Sequence, residues 1–242
     1  MLLHLAAFFG HLPLSRSLIT MGSKVDLISA SNSTPLHLAI SGKQAAIVEL
    51  LLNHKADPLL TDGSGFNALH VAAATIGVES SVEHIYRAAG SQQRRTRLSS
   101  ARDLHGLTPL HVACLAGNLE VLRALCRIDA PSMHARTPPP AGAAIAGANS
   151  EPVAFGSEGA VMLCLDCGDE VRLSLASWAH HRRPGSHPLR RTQVLALKMI
   201  RVLVAAQCSP FTPREPDDKT AAMVAEERGL TEIVAYCMMI LA

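Results

Sequence analysis

Aromatic side chains are nearly absent, at 3% of the 242 residues. A core cannot then rest on ring packing and has to be built from Leu, Ala, Val and Ile, small and uniform enough for closely stacked helices. Charge of one sign is lacking too. The formal net charge of +2 argues against a dedicated nucleic-acid binder and against a polybasic membrane protein. No uninterrupted apolar run reaches the roughly 18 residues that a membrane helix needs, and the best stretch, residues 194–206, carries Lys198 and Arg201. Residues 1–14 are apolar but have no basic region ahead of them, so they do not read as a secretory leader. The six cysteines, at 114, 126, 164, 167, 208 and 237, are too scattered for a disulfide framework. They read as reduced thiols packed as small hydrophobes in an intracellular protein, cytoplasmic and/or nuclear. Nothing resembles a nucleophile with its base, a Gly-rich phosphate loop or a pair of catalytic carboxylates. Neither an enzyme nor a bound cofactor or small-molecule substrate is expected.

What is present is a beat. His4, His37 and His70 are 33 residues apart, each inside the same short sentence, and His111 follows after 41 residues, one period plus an insertion of eight. Self-similarity at this period means a stack of identical supersecondary units. Pro35 and Pro109 fall where a first helical turn tolerates a residue with no backbone donor, and Thr34 and Thr108 precede them as N-caps should. Gly65 and Gly106 lie five residues before their histidines, where a turn needs positive φ, and Asn32 takes that place one unit earlier. A second helix over residues 45–53 presents Ile47, Val48, Leu50, Leu51 and Leu52 on an apolar face.

The Thr-Pro-Leu-His-Leu/Val-Ala sentence, the Ala56-Asp57 after the second helix and the run Gly117-Asn118-Leu119-Glu120-Val121-Leu122 resemble the ankyrin repeat. The resemblance covers residues 1–130, about four units with the first lacking its opening turn. It implies an all-α repeat solenoid of stacked antiparallel helix pairs, with short β-hairpin or loop fingers at right angles. It also implies that the histidines are structural, tying turn and neighbouring units together. A non-catalytic scaffold or adaptor that binds a protein partner follows, through the finger tips and the inner face of the first helices. On this chain those positions are Ala30, Ser31, Ser33, Ser41, Gly63, Ser64, Phe66, Ala74, Thr75, Leu104, His105, Leu107 and Leu115. Phe66 and Leu107 are the expected apolar anchors on exposed fingers, with packing between neighbouring fingers as the competing reading.

The pattern breaks in three places. Residues 90–97 form a polar, basic stretch that reads as a loop carrying the eight-residue insertion. It is open to three readings: a solvated loop, a contact for an acidic partner, or a basophilic kinase site at Ser99 or Ser100 behind Arg95 and Arg97. Residues 131–165, rich in Pro, Ala and Gly, read as a linker or disordered insertion. Residues 166–242 read as two degenerate C-terminal repeats. In the last, Met223 replaces the histidine and Ala221 the proline.

A rival chemistry lies inside the second half. Cys164 and Cys167, with His180 or His181 and His187, can be written as a small zinc module with a regulatory or nucleic-acid-related role. Against it, Val171 occupies the place of the usual aromatic and Ser177 that of the usual leucine, and Cys164 lies in an apolar run. No metal is expected on balance.

Overall fold

Threonine followed by proline starts a helix because the proline has its φ already set and no amide to leave unbonded. In the computed structural model, which describes residues 1–133, 188–206, 220–227 and 229–241, helices begin at Pro35 and Pro109 as that chemistry requires. The helices of the repeated part are α1 (Leu2–Phe9), α2 (Leu12–Thr20), α3 (Pro35–Ser41), α4 (Ala45–Asn53), α5 (Ala68–Ala74), α6 (Glu79–Ala89), α7 (Gln92–Ser100), α8 (Pro109–Leu115) and α9 (Leu119–Met133). Three more are described further on: α10 (Pro188–Ala205), α11 (Ala221–Glu227) and α12 (Thr231–Leu241).

The pairs α1–α2, α3–α4, α5–α6 and α8–α9 stack in order. First helices α1, α3, α5 and α8 form one layer, and second helices α2, α4, α6 and α9 the other. The core between them is aliphatic, with Leu36, Ile40, Ile47, Leu51, Leu69, Ile85 and Leu122 fully buried. Each such side chain contributes about 1.5–3 kcal/mol through burial, so the aromatic poverty costs the stack little. No strand is present among the described residues. The fingers are tight turns, which corrects the expectation of β-hairpins to its looser alternative. No described helix is long and apolar enough to cross a membrane.

Close stacking shows at Gly42. A Cβ built there would collide with the Phe8 carbonyl oxygen of α1, so the first-layer helices approach through backbone. Gly42→Ala is expected to force α1 outward and cost about 1 kcal/mol, read as a lower midpoint in urea with an unchanged slope.

The basic stretch after Gly90 is a helix, which corrects the loop reading. Ser91 caps it by accepting the Arg94 amide. Leu98 is fully buried, and the Arg95 Nε donates to the Tyr86 carbonyl at 3.1 Å. A single buried leucine among polar residues leaves no helical periodicity to read. Ser99 and Ser100 close the last turn, donating their hydroxyls to the Arg95 and Thr96 carbonyls at 3.1 and 2.7 Å. A phosphate on either would face a helix C-terminus, the electrostatically wrong end.

Beyond the fourth pair, α10 packs on α9, and α11 pairs with α12. Thr220 accepts the Met223 amide at 3.3 Å, a cap without its histidine; Met223 itself is half exposed. Cys114, Cys126 and Cys237 are buried, and burial pushes the Cys237 thiol up from its ordinary value. The remaining cysteines lie outside the described residues.

Candidate functional site

Each finger is held by an oxygen at its base, eight residues before the repeat histidine. The Asp62 carboxylate accepts the Ser64 and Phe66 amides at 2.8 and 2.9 Å. The Asp103 carboxylate accepts those of His105 and Leu107 at 2.9 and 2.7 Å. In the earlier unit Ser29 stands in this place and accepts the Ser33 amide at 3.2 Å, a weaker hold from a neutral acceptor. The turn residue then adopts positive φ in all three fingers: Asn32 at 56°, Gly65 at 80° and Gly106 at 78°. Burial raises the Asp103 carboxyl above its ordinary value, outweighing the two amides that pull it down.

The fingers join through single backbone bonds. The Gly63 amide donates to the Ser31 carbonyl and the Leu104 amide to the Ser64 carbonyl, both at 3.2 Å. The tips therefore stand in a fixed row.

The histidines stand between a helix start and the next finger, and His70 bonds to both. The amide of Thr34 donates to the Nδ1 of His37, and that of Thr108 to the Nδ1 of His111, both at 3.1 Å. With Nδ1 accepting, the proton sits on Nε2, which points to the next unit. His4 donates through it to the Ser33 carbonyl at 3.1 Å, and His70 to the Leu107 carbonyl at 3.0 Å. His37 faces the Phe66 carbonyl in the same sense but falls short of hydrogen-bond geometry. Ser33, Phe66 and Leu107 each immediately precede a helix cap, so one ring spans two units. Burial lowers the titration of His37, and pushes that of His70 down to about 4.

The third unit departs from the others. Asn67 replaces threonine as the cap, accepting the Leu69 and His70 amides at 3.0 and 3.1 Å. Its Nδ2 donates to the Leu98 carbonyl of the inserted helix at 2.9 Å. In the fourth unit, buried Asn118 joins two helix ends. Its Nδ2 donates to the Ala73 and Thr75 carbonyls at 3.1 and 2.9 Å, while its Oδ1 accepts the Val121 amide at 3.4 Å. Neither amide's role was legible in the pattern, because the cap signal is the same whether or not the second end of the amide is used.

Ala30, Ser31, Gly63, Leu104 and His105 are exposed at the tips, and Ser41, Ser64, Ala74, Thr75 and Leu107 are half-buried. Ser33, Phe66 and Leu115 are buried, which corrects the expectation of contact surface there. Phe66 is 7% exposed and stacks on the His70 ring at 5.4 Å between centroids. It packs because the finger's aspartate pulls its backbone inward. Leu107 rests partly against the core. Leu104, at 61% exposure, is the large apolar side chain that does stand free on a tip.

Among the described residues no cluster of histidine, cysteine or carboxylate could hold a metal. Cys164, Cys167, His180, His181 and His187 lie outside the described residues.

Known proteins match this arrangement. A profile of three ankyrin repeats matches residues 3–96, and a single ankyrin repeat matches residues 105–138. Human palmitoyltransferase ZDHHC13 is 47% identical over 72 residues, 29% of this chain and 12% of that protein; that match lies only over the ankyrin region. Mouse NF-kappa-B inhibitor delta is 39% identical over 106 residues, 44% of this chain and 31% of that protein. The chain thus spans less than a third of the length of either relative. The crystal structure of EF0377, an ankyrin repeat protein, superposes with a TM-score of 0.64 at 16% identity, covering 96% of this chain and 94% of that one. Two family profiles over more than half of the chain, and a stack whose helix pairs and histidine-centred caps recur along it, make this chain a member of the ankyrin repeat family.

Proposed function

We propose that the chain is a non-catalytic adaptor that takes a protein partner across the finger tips and the inner helical layer. One observation carries this reading: the tips form a row fixed by backbone bonds between neighbours, on which Leu104 projects an apolar side chain 61% exposed. A pre-ordered row with one large apolar residue among Ala30, Ser31, Gly63 and Ser64 has the form of an interface centre, because it binds without first ordering a loop.

Leu104→Glu is expected to abolish capture of a protein partner by the immobilised full chain while thermal unfolding stays within about 0.5 kcal/mol of wild type. Phe66→Ala is expected to lower stability instead, because it removes a buried ring. Undiminished capture by Leu104→Glu would count against the finger row as the contact surface.

A further inference from the structure

Helix α7 walls one side of a cleft whose other sides are the end of α4 with the turn after it and the second half of α6. The cleft has a volume of about 670 Å³, and its ionisable lining is Glu49, Lys55, Asp57, His84, Arg87 and Arg94. Three fixed cations thus face two carboxylates. Of the carboxylates, Asp57 is already engaged, by Arg94 at 2.7 Å and by the Leu59 amide at 3.1 Å. Neither Lys55 nor Arg87 has an ion-pair partner among the described residues. The Nδ1 of His84 is buried in the wall with no hydrogen-bond partner. Lys55 adopts positive φ, 68°, a conformation a lysine rarely takes. The inserted segment therefore does more than extend the array: its guanidinium tips a lining that is otherwise balanced, two cations against two carboxylates, to a net positive charge.

We infer that this cleft receives a carboxylate-rich segment of a protein partner. Arg87 and Lys55, faced only by Glu49, supply the remaining positive charge, and Arg94 the planar fork that pairs with an oxyanion in two bonds. Asp57 holds that fork in place until the ligand's carboxylate competes for it. The inference rests on the protein-binding reading above, yet it uses second-layer helices and no finger residue, so the two fail separately.

The test is fluorescence anisotropy of a labelled oligoglutamate peptide with the full chain, beside an oligoglutamine control. Binding of the glutamate peptide alone is expected, saturable and weakened by salt. Arg87→Ala should weaken it about threefold, and Arg87→Ala with Lys55→Ala about tenfold. Asp57→Asn should tighten it about threefold by releasing Arg94, a gain that misfolding does not produce. Arg16→Ala, exposed on α2 and outside the cleft's lining, should change nothing. Equal losses from Arg16→Ala and Arg87→Ala would mean diffuse attraction and overturn the inference. So would inorganic phosphate binding more tightly than the peptide, which would make this a site for a free anion. Absence of peptide binding beside capture that still depends on Leu104 would overturn the cleft and leave the finger surface standing.

Discussion

Asn67→Thr, which restores the residue found at Thr34 and Thr108, is expected to loosen α7 while leaving α5 capped. Threonine can accept the His70 amide as asparagine does, and its hydroxyl can donate to the ring. Asparagine cannot: its Oδ1 lies 2.9 Å from the Nδ1 of His70, and both atoms are acceptors when the proton is on Nε2. The cap is therefore worse for having asparagine, and the offsetting gain lies elsewhere. It is the bond from Nδ2 to the Leu98 carbonyl, at a residue whose side chain is fully buried. Threonine has no group that reaches it, so a buried carbonyl loses its donor at a cost of about 2 kcal/mol. That cost falls on α7, which is also tied by the burial of Leu98, by the Arg95 bond to Tyr86 and by the Arg94 pair with Asp57. The pair is half exposed and contributes under about 1 kcal/mol. Hydrogen exchange should therefore speed more than about tenfold across residues 92–100 and little in α3 and α4. Uniform acceleration through the stack would show instead that Asn67 supports the whole array.

The same residues show where reading the sequence works and where it stops. Thr34, Pro35, Gly65, Gly106, Thr108 and Pro109 announce their roles because each acts locally, through a backbone angle or a missing amide within four residues. The histidines announce a period but not a bond. Their acceptors lie a whole unit away, and only a neighbouring backbone shows that His70 reaches Leu107. Phe66 misleads for the opposite reason. Its place on a finger suggests exposure, whereas a carboxylate four residues earlier turns it inward onto the His70 ring. Helix α7 is hidden because one buried leucine cannot make a periodic face, and its stability comes from contacts at Asn67, Tyr86 and Asp57 that are far away in sequence.

Acid should open the stack between its third and fourth units. His70 is wholly buried and titrates at about 4 in the folded chain, against an ordinary 6.5, because burial penalises the imidazolium. Between those values the unfolded chain holds a proton on this ring that the folded chain refuses. Stability must then fall as pH drops from about 6.5 to about 4, by about 3 kcal/mol over the whole window. His37 is shifted the same way by the same cause and adds to the slope. Asp26 and Asp103 are shifted upward by burial. They bind protons more readily folded than unfolded, so they oppose the slope at its acid end. Comparison with His70→Gln isolates the one ring. Urea unfolding at pH 7 and pH 4.5 should show wild type losing about 2 to 3 kcal/mol more than the variant, although the variant starts lower at pH 7 for want of the bridge to Leu107. Protonation at Nδ1 would also exchange the Asn67 amide that now donates to it at 3.3 Å for the Asn67 Oδ1 at 2.9 Å, so the hydrogen bonding at the start of α5 rearranges. Exchange in acid should consequently rise first at the start of α5 and at the base of the third finger. An equal acid loss in His70→Gln would move the cause to another group, and the ring's burial would then be a matter of packing alone.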